Sequence, residues 1–244
     1  MMRVADVHRA WRMLPEGGLD DVIGDGTCLI LAPHPDDESL GCGGLIAACV
    51  SAGRPPLVAV MTDGAASHNS PTYPPAKLGK LRAQEVTAAV EALGLPPDRL
   101  WLGGLPDAAA PLDGPRFEQS VEQLLSLMKQ APSCGTVIGP WKHDPHCDHE
   151  AVARMAKAVA DRAACQLLSY PVWGWMLPDD DRLPIPHVSG WRLGTARFAE
   201  RKRRAIEAHH SQHAGLITDD PDGFALPAKL LSRCTQPFEV FLHR

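Results

Sequence analysis

The sequence predicts an α/β fold: a mostly parallel sheet with helices on both faces. Three observations carry this expectation. Short apolar runs alternate along the chain with longer stretches of helical periodicity. The runs show no inside–outside alternation, which marks strands buried on both faces. The length of 244 residues, with 45% hydrophobic and 22% charged side chains, suits one domain with a substantial core.

Met1 to Gly18 reads as an amphipathic helix with Val4, Val7, Ala10, Trp11 and Leu14 on one face. Thr27–Ala32 is a buried strand ending on Pro33, and a helix follows over Leu40–Ala52, opening on Gly41-Cys42-Gly43-Gly44. These glycines let that helix pack closely on the sheet. Pro56–Met61 is the next strand. Lys77–Leu93 is a long helix with Leu78, Leu81, Val86, Ala89, Val90 and Leu93 inward, stopped by Gly94 and Pro96. Arg99–Leu102 is a short strand, and Pro115–Gln130 a helix with proline in a permitted first-turn position. Thr136–Gly139 is a strand, His146–Ala163 a helix and Gln166–Tyr170 a strand. Pro178–Pro186 reads as a loop, Arg197–His209 as a helix and Pro237–Leu242 as a closing edge strand. No repeat, low-complexity tract or linker divides the chain, so residues 1–244 read as a single domain.

Composition narrows the function. The net charge of −5 and the lack of a basic track argue against nucleic acid as a partner. The densest basic stretch, Arg201-Lys202-Arg203-Arg204, reads as a solvated helix face. No segment approaches the roughly 20 apolar residues of a membrane span. Seven cysteines without a Cys-x-x-Cys pair, and no secretory signal, predict reduced thiols in the cytoplasm. The sequence leaves a homo-oligomer open.

Chemistry concentrates at two strand ends. After the first strand come His34, Asp36, Asp37 and Glu38 within five residues. One imidazole and three carboxylates so close repel each other unless a cation sits among them. The strand at Thr136–Gly139 is followed by His143-Asp144-Pro145-His146-Cys147-Asp148-His149-Glu150. Two such clusters predict one shared metal centre. The glycines at 41–44 do not make a dinucleotide fingerprint, because carboxylates occupy the place of its first glycine and repel a pyrophosphate.

Catalytic zinc takes three His or carboxylate ligands and keeps a position for water. His34 and one of Asp36 or Asp37 supply two ligands, and His149 or His146 the third. Positions 146 and 149 share a helix face. A carboxylate left over can take a proton from water, and a histidine left over can stabilise an oxyanion. Cys147, between two histidines, is expected to face away from both. This is the layout of a metal-dependent hydrolase acting on a carbonyl.

At these residues the sequence resembles the PIG-L/LmbE-like family of zinc-dependent N-deacetylases. Ala32-Pro33-His34-Pro35-Asp36-Asp37-Glu38 matches the family's Ala-His-Pro-Asp-Asp-Glu, with Pro33 inserted. His146-Cys147-Asp148-His149 matches its His-Pro-Asp-His, with Cys147 in place of proline. Weaker agreement covers Met61-Thr62-Asp63-Gly64, Arg82-x-x-Glu85, Leu105-Pro106-Asp107 and His209-x-Ser211-Gln212. The resemblance implies a Rossmann-like fold and removal of an N-acyl group, usually acetyl, from an amino-sugar conjugate. It implies Zn²⁺ on His34, Asp37 and His149, with Asp36 as general base. It implies that protonated His146 stabilises the oxyanion, tuned by Asp148. Arg82 and Asp107 fall where the family binds sugar hydroxyls, and His209 near the site.

Plainer alternatives accompany these roles. Arg82 could instead pair with Glu85 on the helix surface, and His209 could be a core histidine. The chain as a whole could be a metallohydrolase on another amide or ester, or a non-catalytic metal- or sugar-binding protein. The rim is expected from Ala65–Pro75 and Trp173–Trp191, with Trp173, Trp175 and Trp191 able to stack on sugars. The acyl pocket is expected to be small and to lie against Gly41–Gly44.

Overall fold

The computed structural model describes every residue except 132, 214 and 244. In chain order the elements are β1 (Met2–Arg3), α1 (Val4–Met13), β2 (Glu16–Gly17), α2 (Leu19–Ile23), β3 (Thr27–Ala32) and α3 (Asp37–Ser51). Then come β4 (Leu57–Thr62), α4 (Pro75–Ala92), β5 (Leu100–Leu105), α5 (Gly114–Met128), β6 (Cys134–Pro140) and α6 (Cys147–Ala163). The chain closes with β7 (Gln166–Tyr170), β8 (Arg182–Leu183), β9 (Gly190–Gly194), α7 (Ala199–Glu207), α8 (Ala228–Cys234) and β10 (Phe238–His243).

One sheet runs in the order β2-β9-β10-β7-β6-β3-β4-β5, and β1 pairs with β8 in a separate ribbon. From β7 to β5 every neighbour is parallel, as the unalternating apolar runs predict. Every residue of β3 and β4 is buried. Cys28, Ile30, Val58 and Val60 pack toward α3, α4 and α7, while Leu29, Leu31, Leu57 and Ala59 pack toward α5 and α6. Strand periodicity of two thus divides one apolar run between two cores.

The chain leaves β3 in one direction, through β4 to β5, and then returns to lay β6 and β7 on the other side of β3. The sheet therefore reverses its order between β3 and β6. Ligands of open α/β sheets bind in the crevice outside such a reversal, at the carboxyl ends of the strands. Both sequence clusters lie there.

Several expectations change. The last strand is not an edge: β10 lies between β9 and β7, antiparallel to both. The strand beyond it, β9, was illegible because Gly190-Trp191-Arg192-Leu193-Gly194 is neither an apolar run nor an alternating one. Helix α3 starts at Asp37 rather than Leu40, so the acidic cluster forms its first turn, where the helix dipole favours negative charge. The inward face of α4 carries Arg82 and Glu85, while Leu81 is only half-buried. The basic stretch at 201–204 is not wholly solvated. Lys202 is buried, and its Nζ donates to Glu239 at 2.6 Å and to the Leu40 carbonyl at 2.9 Å.

Glu239 also accepts the Gly44 and Leu45 amides of α3, at 2.6 and 2.8 Å. The buried Lys202–Glu239 pair thus takes over backbone groups of the helix itself. The expected close packing is real: a Cβ on Gly41 would lie 2.1 Å from the Tyr170 ring, and one on Gly44 2.5 Å from Thr195. Helix α1 buries Val4, Val7, His8 and Trp11, and Ala10 is half-buried. The Trp11 ring sits 5.0 Å from that of Trp141 and 4.7 Å from that of Trp175.

Candidate metal centre

The turn after β3 is strained. Asp36 has φ 144°, on the side of conformational space disfavoured for L-residues. Buried Glu38 ties it down: its Oε2 accepts the Asp36 amide at 3.0 Å and its Oε1 accepts Ser39 Oγ at 2.6 Å. The turn aims His34, Asp36 and Asp37 into one cleft. From the other side of the sheet reversal, the first turn of α6 brings His146, Asp148 and His149.

Asp37 Oδ2 is the hub. It accepts the His34 amide at 3.0 Å, and lies 3.1 Å from His34 Nδ1 and 3.2 Å from His149 Nε2. His34 Nε2 lies 3.0 Å from Asp148 Oδ2 and 3.3 Å from Asp107 Oδ1. His149 Nδ1 lies 3.0 Å from Asp144 Oδ2. Asp144 is held by the amides of Val172, Trp173 and Gly174 at 2.9, 3.1 and 2.7 Å. A carboxylate behind a ligating histidine fixes its ring and tautomer. Sequence reasoning gave Asp144 no role, although it stands in the second cluster five residues before His149.

The charges are mutually enforced. Burial opposes a charge on His34, but Asp107, Asp148 and Asp37 outweigh it and hold the imidazole well above its usual pKa. Burial likewise opposes charge on His149, yet Asp37 and Asp144 raise it to about 9. Asp37 is held far below the carboxylate range, because the two imidazoles overcome its burial. Asp36 goes the other way: burial raises it to about 6 against the pull of Arg82.

These residues fit a divalent ion. One nitrogen each from His34 and His149 and one Asp37 oxygen lie within 4.8 Å of one another. His149 Nε2 is buried with no hydrogen-bond partner. In the neutral ring, with Nδ1 donating to Asp144, Nε2 carries the lone pair that a metal would take. His34, His146 and Asp148 form a second group of the same span. There, however, the Asp148 oxygens already accept the Ala108 and Ala110 amides at 2.8 and 2.9 Å as well as facing His34. The donor set with the orphaned nitrogen is the one that fits a metal, and His₂Asp is a catalytic-zinc set.

The other sequence-marked residues fall as follows. His146 caps α6, its Nδ1 accepting the Asp148 amide at 3.2 Å, so its Nε2 carries the proton. Burial, His34 and His149 lower its pKa. These surroundings disfavour the imidazolium that the resemblance implies. The Asp148 carboxylate is hydrogen-bonded to His34, and the Asp148 amide donates to His146 Nδ1. Arg82 is buried and makes no surface pair with Glu85. It donates to the carbonyls of Gly64 and Pro35 at 2.9 and 2.5 Å and to Asp36 Oδ2 at 3.1 Å. Glu85 instead accepts the amide and Oγ of Ser211. Asp107 Oδ2 accepts the Ala66 amide at 2.9 Å. His209 is fully buried against Glu38 at 3.2 Å and does not line the cleft. Cys147 is exposed, with Sγ 4.0 Å from His146 Nδ1, and belongs to neither ligand group.

The cleft has a volume of ≈ 430 Å³. Ser67, Arg82, Asp107 and Gln212 give it polar walls, and Leu40, Trp173, Phe224 and Leu226 an apolar one. Of the expected stacking tryptophans only Trp173 lines it; Trp175 is buried beside Trp11, and Trp191 packs over Gly17. Gly41–Gly44 do not line it either, because Tyr170, Lys202 and Thr195 cover them. A larger cavity of ≈ 520 Å³ lies between Trp141, α6 and the loop after β8. It contains no residue of either ligand group, so the chemistry belongs to the smaller cleft.

Fold and centre together define an α/β protein with a metal-ready His₂Asp site at the sheet reversal. Residues 29–160 match the family described as GlcNAc-PI de-N-acetylase (PIG-L), and the chain belongs to that family. A 1D-myo-inositol 2-acetamido-2-deoxy-α-D-glucopyranoside deacetylase of Nocardia farcinica is 29% identical over 230 residues, covering 83% of this chain and 68% of the relative. The N,N'-diacetylchitobiose deacetylase of Pyrococcus horikoshii superposes with a TM-score of 0.57 at 18% identity, over 78% of this chain and 72% of that one. GalB, the 4-carboxy-2-hydroxymuconate hydratase of Pseudomonas putida, superposes with a TM-score of 0.60 at 18% identity, over 78% and 80%. The two structures speak for the fold alone, since one architecture here carries a deacetylase and a hydratase.

Proposed function

We propose that this protein is a zinc-dependent hydrolase that removes the N-acetyl group from an amino-sugar conjugate. The observation that carries the reading is the orphaned His149 Nε2 converging on His34 and Asp37 beside a carboxylate, Asp36, left free of the ligand set. The family and the inositol-conjugate deacetylase among its relatives support the substrate class.

Bound at His34, Asp37 and His149, a divalent ion supplies Lewis-acid polarisation of an acyl carbonyl and of the attacking water. The chain's own residues do the rest. Asp36 Oδ2 is engaged by Arg82, so Oδ1 accepts the water proton. Its burial-raised pKa suits a base that must later hand the proton to the leaving amine. His146 donates its Nε2 proton as a hydrogen bond to the oxyanion. Asp144 and Asp148 hold the rings of His149 and His34. Arg82 and Asp107 face the cleft and meet sugar hydroxyls. His209 acts behind the wall, on Glu38. A reducing cytoplasm would keep the seven cysteines as thiols.

The test is acetate release from N-acetylglucosaminyl-inositol and from simple N-acetylglucosaminides by zinc-loaded protein. Release by wild type and none by His149→Ala is the expected result. Equal release by both, or hydration of an unsaturated acid with no amide cleavage, would sink the reading.

A further inference from the structure

His143 and Glu150 stand in the second sequence cluster but take no part in the metal centre, and both line the larger cavity of ≈ 520 Å³. The floor of that cavity is the face of three neighbouring strands. It runs from Gly139 on β6 through Leu167 and Ser169 on β7 to Leu242 on β10. Helix α6 walls one side, through Ala153, Arg154 and Lys157. No α-helix lies between β7 and β9, so residues 184–189 and Trp11 of α1 wall the other. The cavity and the metal cleft share no lining residue.

Its polar groups are short of partners. Six buried side-chain polar atoms have no hydrogen-bond partner among the described residues. Those of Arg82, His149, His209 and Gln212 belong to the metal centre, its cleft and the residues behind the wall. The other two, Trp11 Nε1 and His143 Nε2, both belong to residues lining the second cavity. Buried polar groups are nearly always satisfied, so each orphan calls for a partner that the protein does not supply. Trp11 is fully buried, and an indole N–H can only donate. The His143 ring lies 5.0 Å from that of Trp141, edge to face. Among the described residues, Lys142 joins no ion pair or hydrogen bond, and neither do the Ser169 and Ser189 hydroxyls. Arg154 and Lys157 are already engaged, by Glu150 at 2.6 Å and by Asp161.

We propose that this cavity is a second ligand site, for an organic monocarboxylate with an aromatic or alicyclic body. The reading is independent of the hydrolase reaction. Donors without acceptors and an unpaired lysine select an anion. A phosphate ester would call for a second cation or a bidentate arginine, and Arg154 is held by Glu150. A single carboxylate matches the single charge of Lys142. Trp141, Ile185, Val188 and Leu242 belong to one apolar cluster, and their faces in the cavity accept the body of the ligand. A bare inorganic anion would leave those faces against water. The volume lies within the roughly 300–1,000 Å³ of small-molecule sites.

The experiment titrates zinc-loaded protein calorimetrically with naphthylacetate and with its uncharged counterpart naphthylethanol. The acid should bind saturably at one site per chain, and the alcohol about tenfold or more weakly, because it lacks the charge-assisted bond to Lys142. Lys142→Gln should bring the affinity for the acid down to that for the alcohol. Ala153→Trp fills the cavity from α6 and should abolish binding, whereas His149→Ala should leave it unchanged. The acid–alcohol comparison needs no variant, so misfolding of Ala153→Trp cannot hide the answer. No saturable binding of the acid, or equal affinity for acid and alcohol, overturns the proposal. Binding that His149→Ala abolishes and Ala153→Trp retains also overturns it, because the carboxylate then sits on the zinc.

Discussion

Asp36 and Asp37 are adjacent and chemically identical, yet the fold shifts their pKa values in opposite directions. Asp37 faces two imidazoles that hold it ionised, while Asp36 is buried against a single guanidinium and is raised to about 6. Pairs of titratable groups driven apart by their surroundings mark acid–base assignments. Asp36→Asn should therefore retain the metal and lose about 10²–10⁴-fold in kcat. Steady-state rates together with metal analysis check this, and near-normal turnover would pass the role to another carboxylate. Asp144 acts one step further back. Asp144→Ala should weaken metal binding by about 10–100-fold by freeing the His149 ring, measured by competition with a chromophoric chelator. An unchanged affinity would show that helix packing alone orients His149.

Protons and metal compete for the same nitrogens. His149 is held at about 9 in the metal-free site, so at neutral pH a proton must leave before its lone pair is available. His34 is raised in the same direction. Metal affinity should accordingly increase from about pH 6 to about pH 8, with net proton release on binding. Calorimetry in buffers of different ionisation enthalpy reads the proton count directly. A pH-independent affinity over that range would contradict the charge pattern of the site.

Among the elements, α3 carries the clearest demand. Its first turn supplies Asp37 and Glu38, and its middle gives up backbone bonds to the buried Lys202–Glu239 pair. Both partners are nearly inaccessible, so removing one strands the other charge. Lys202→Met should cost about 3–5 kcal/mol in denaturant unfolding. A loss below about 1 kcal/mol would show that Glu239 finds water or takes up a proton. The sequence placed Lys202 on a solvated face because its neighbours Arg201, Arg203 and Arg204 are exposed. Its partner lies 37 residues downstream on β10, and no local pattern connects the two.

For the molecule as a whole, a metal held at the proposed ligands would join the two halves of the sheet order. His34 and Asp37 follow β3, and His149 follows β6, on opposite sides of the reversal. An ion that binds only the folded arrangement stabilises it by mass action, about 2.7 kcal/mol at a hundredfold excess over Kd. Chelation should therefore lower Tm reversibly in wild type and leave the Tm of His149→Ala unmoved. A chelator-sensitive Tm in that variant would place the stabilising ion elsewhere.

Much of this was legible in the chain because it is local. The strands β3, β4 and β6 are runs of adjacent apolar residues, and each ligand cluster occupies fewer than ten consecutive positions. Short-range chemistry of this kind is written in sequence spacing: His34 and Asp37 belong to one turn, and His146 and His149 to another. The parallel sheet, its two covered faces and a His–Asp–His group able to hold a metal follow from those patterns. Tertiary structure decided what depends on distant partners. It put Asp144 behind His149, turned the Asp148 carboxylate to His34, sank His209 against Glu38, and drew Arg82 off the helix surface onto Asp36. It also inserted β10 between β7 and β9 and brought Phe224 and Leu226 into the lining of the cleft. The physical reason is common to all of them. Hydrogen bonds and buried charges must be satisfied by whatever the fold brings near, and the fold brings together residues that the sequence keeps far apart.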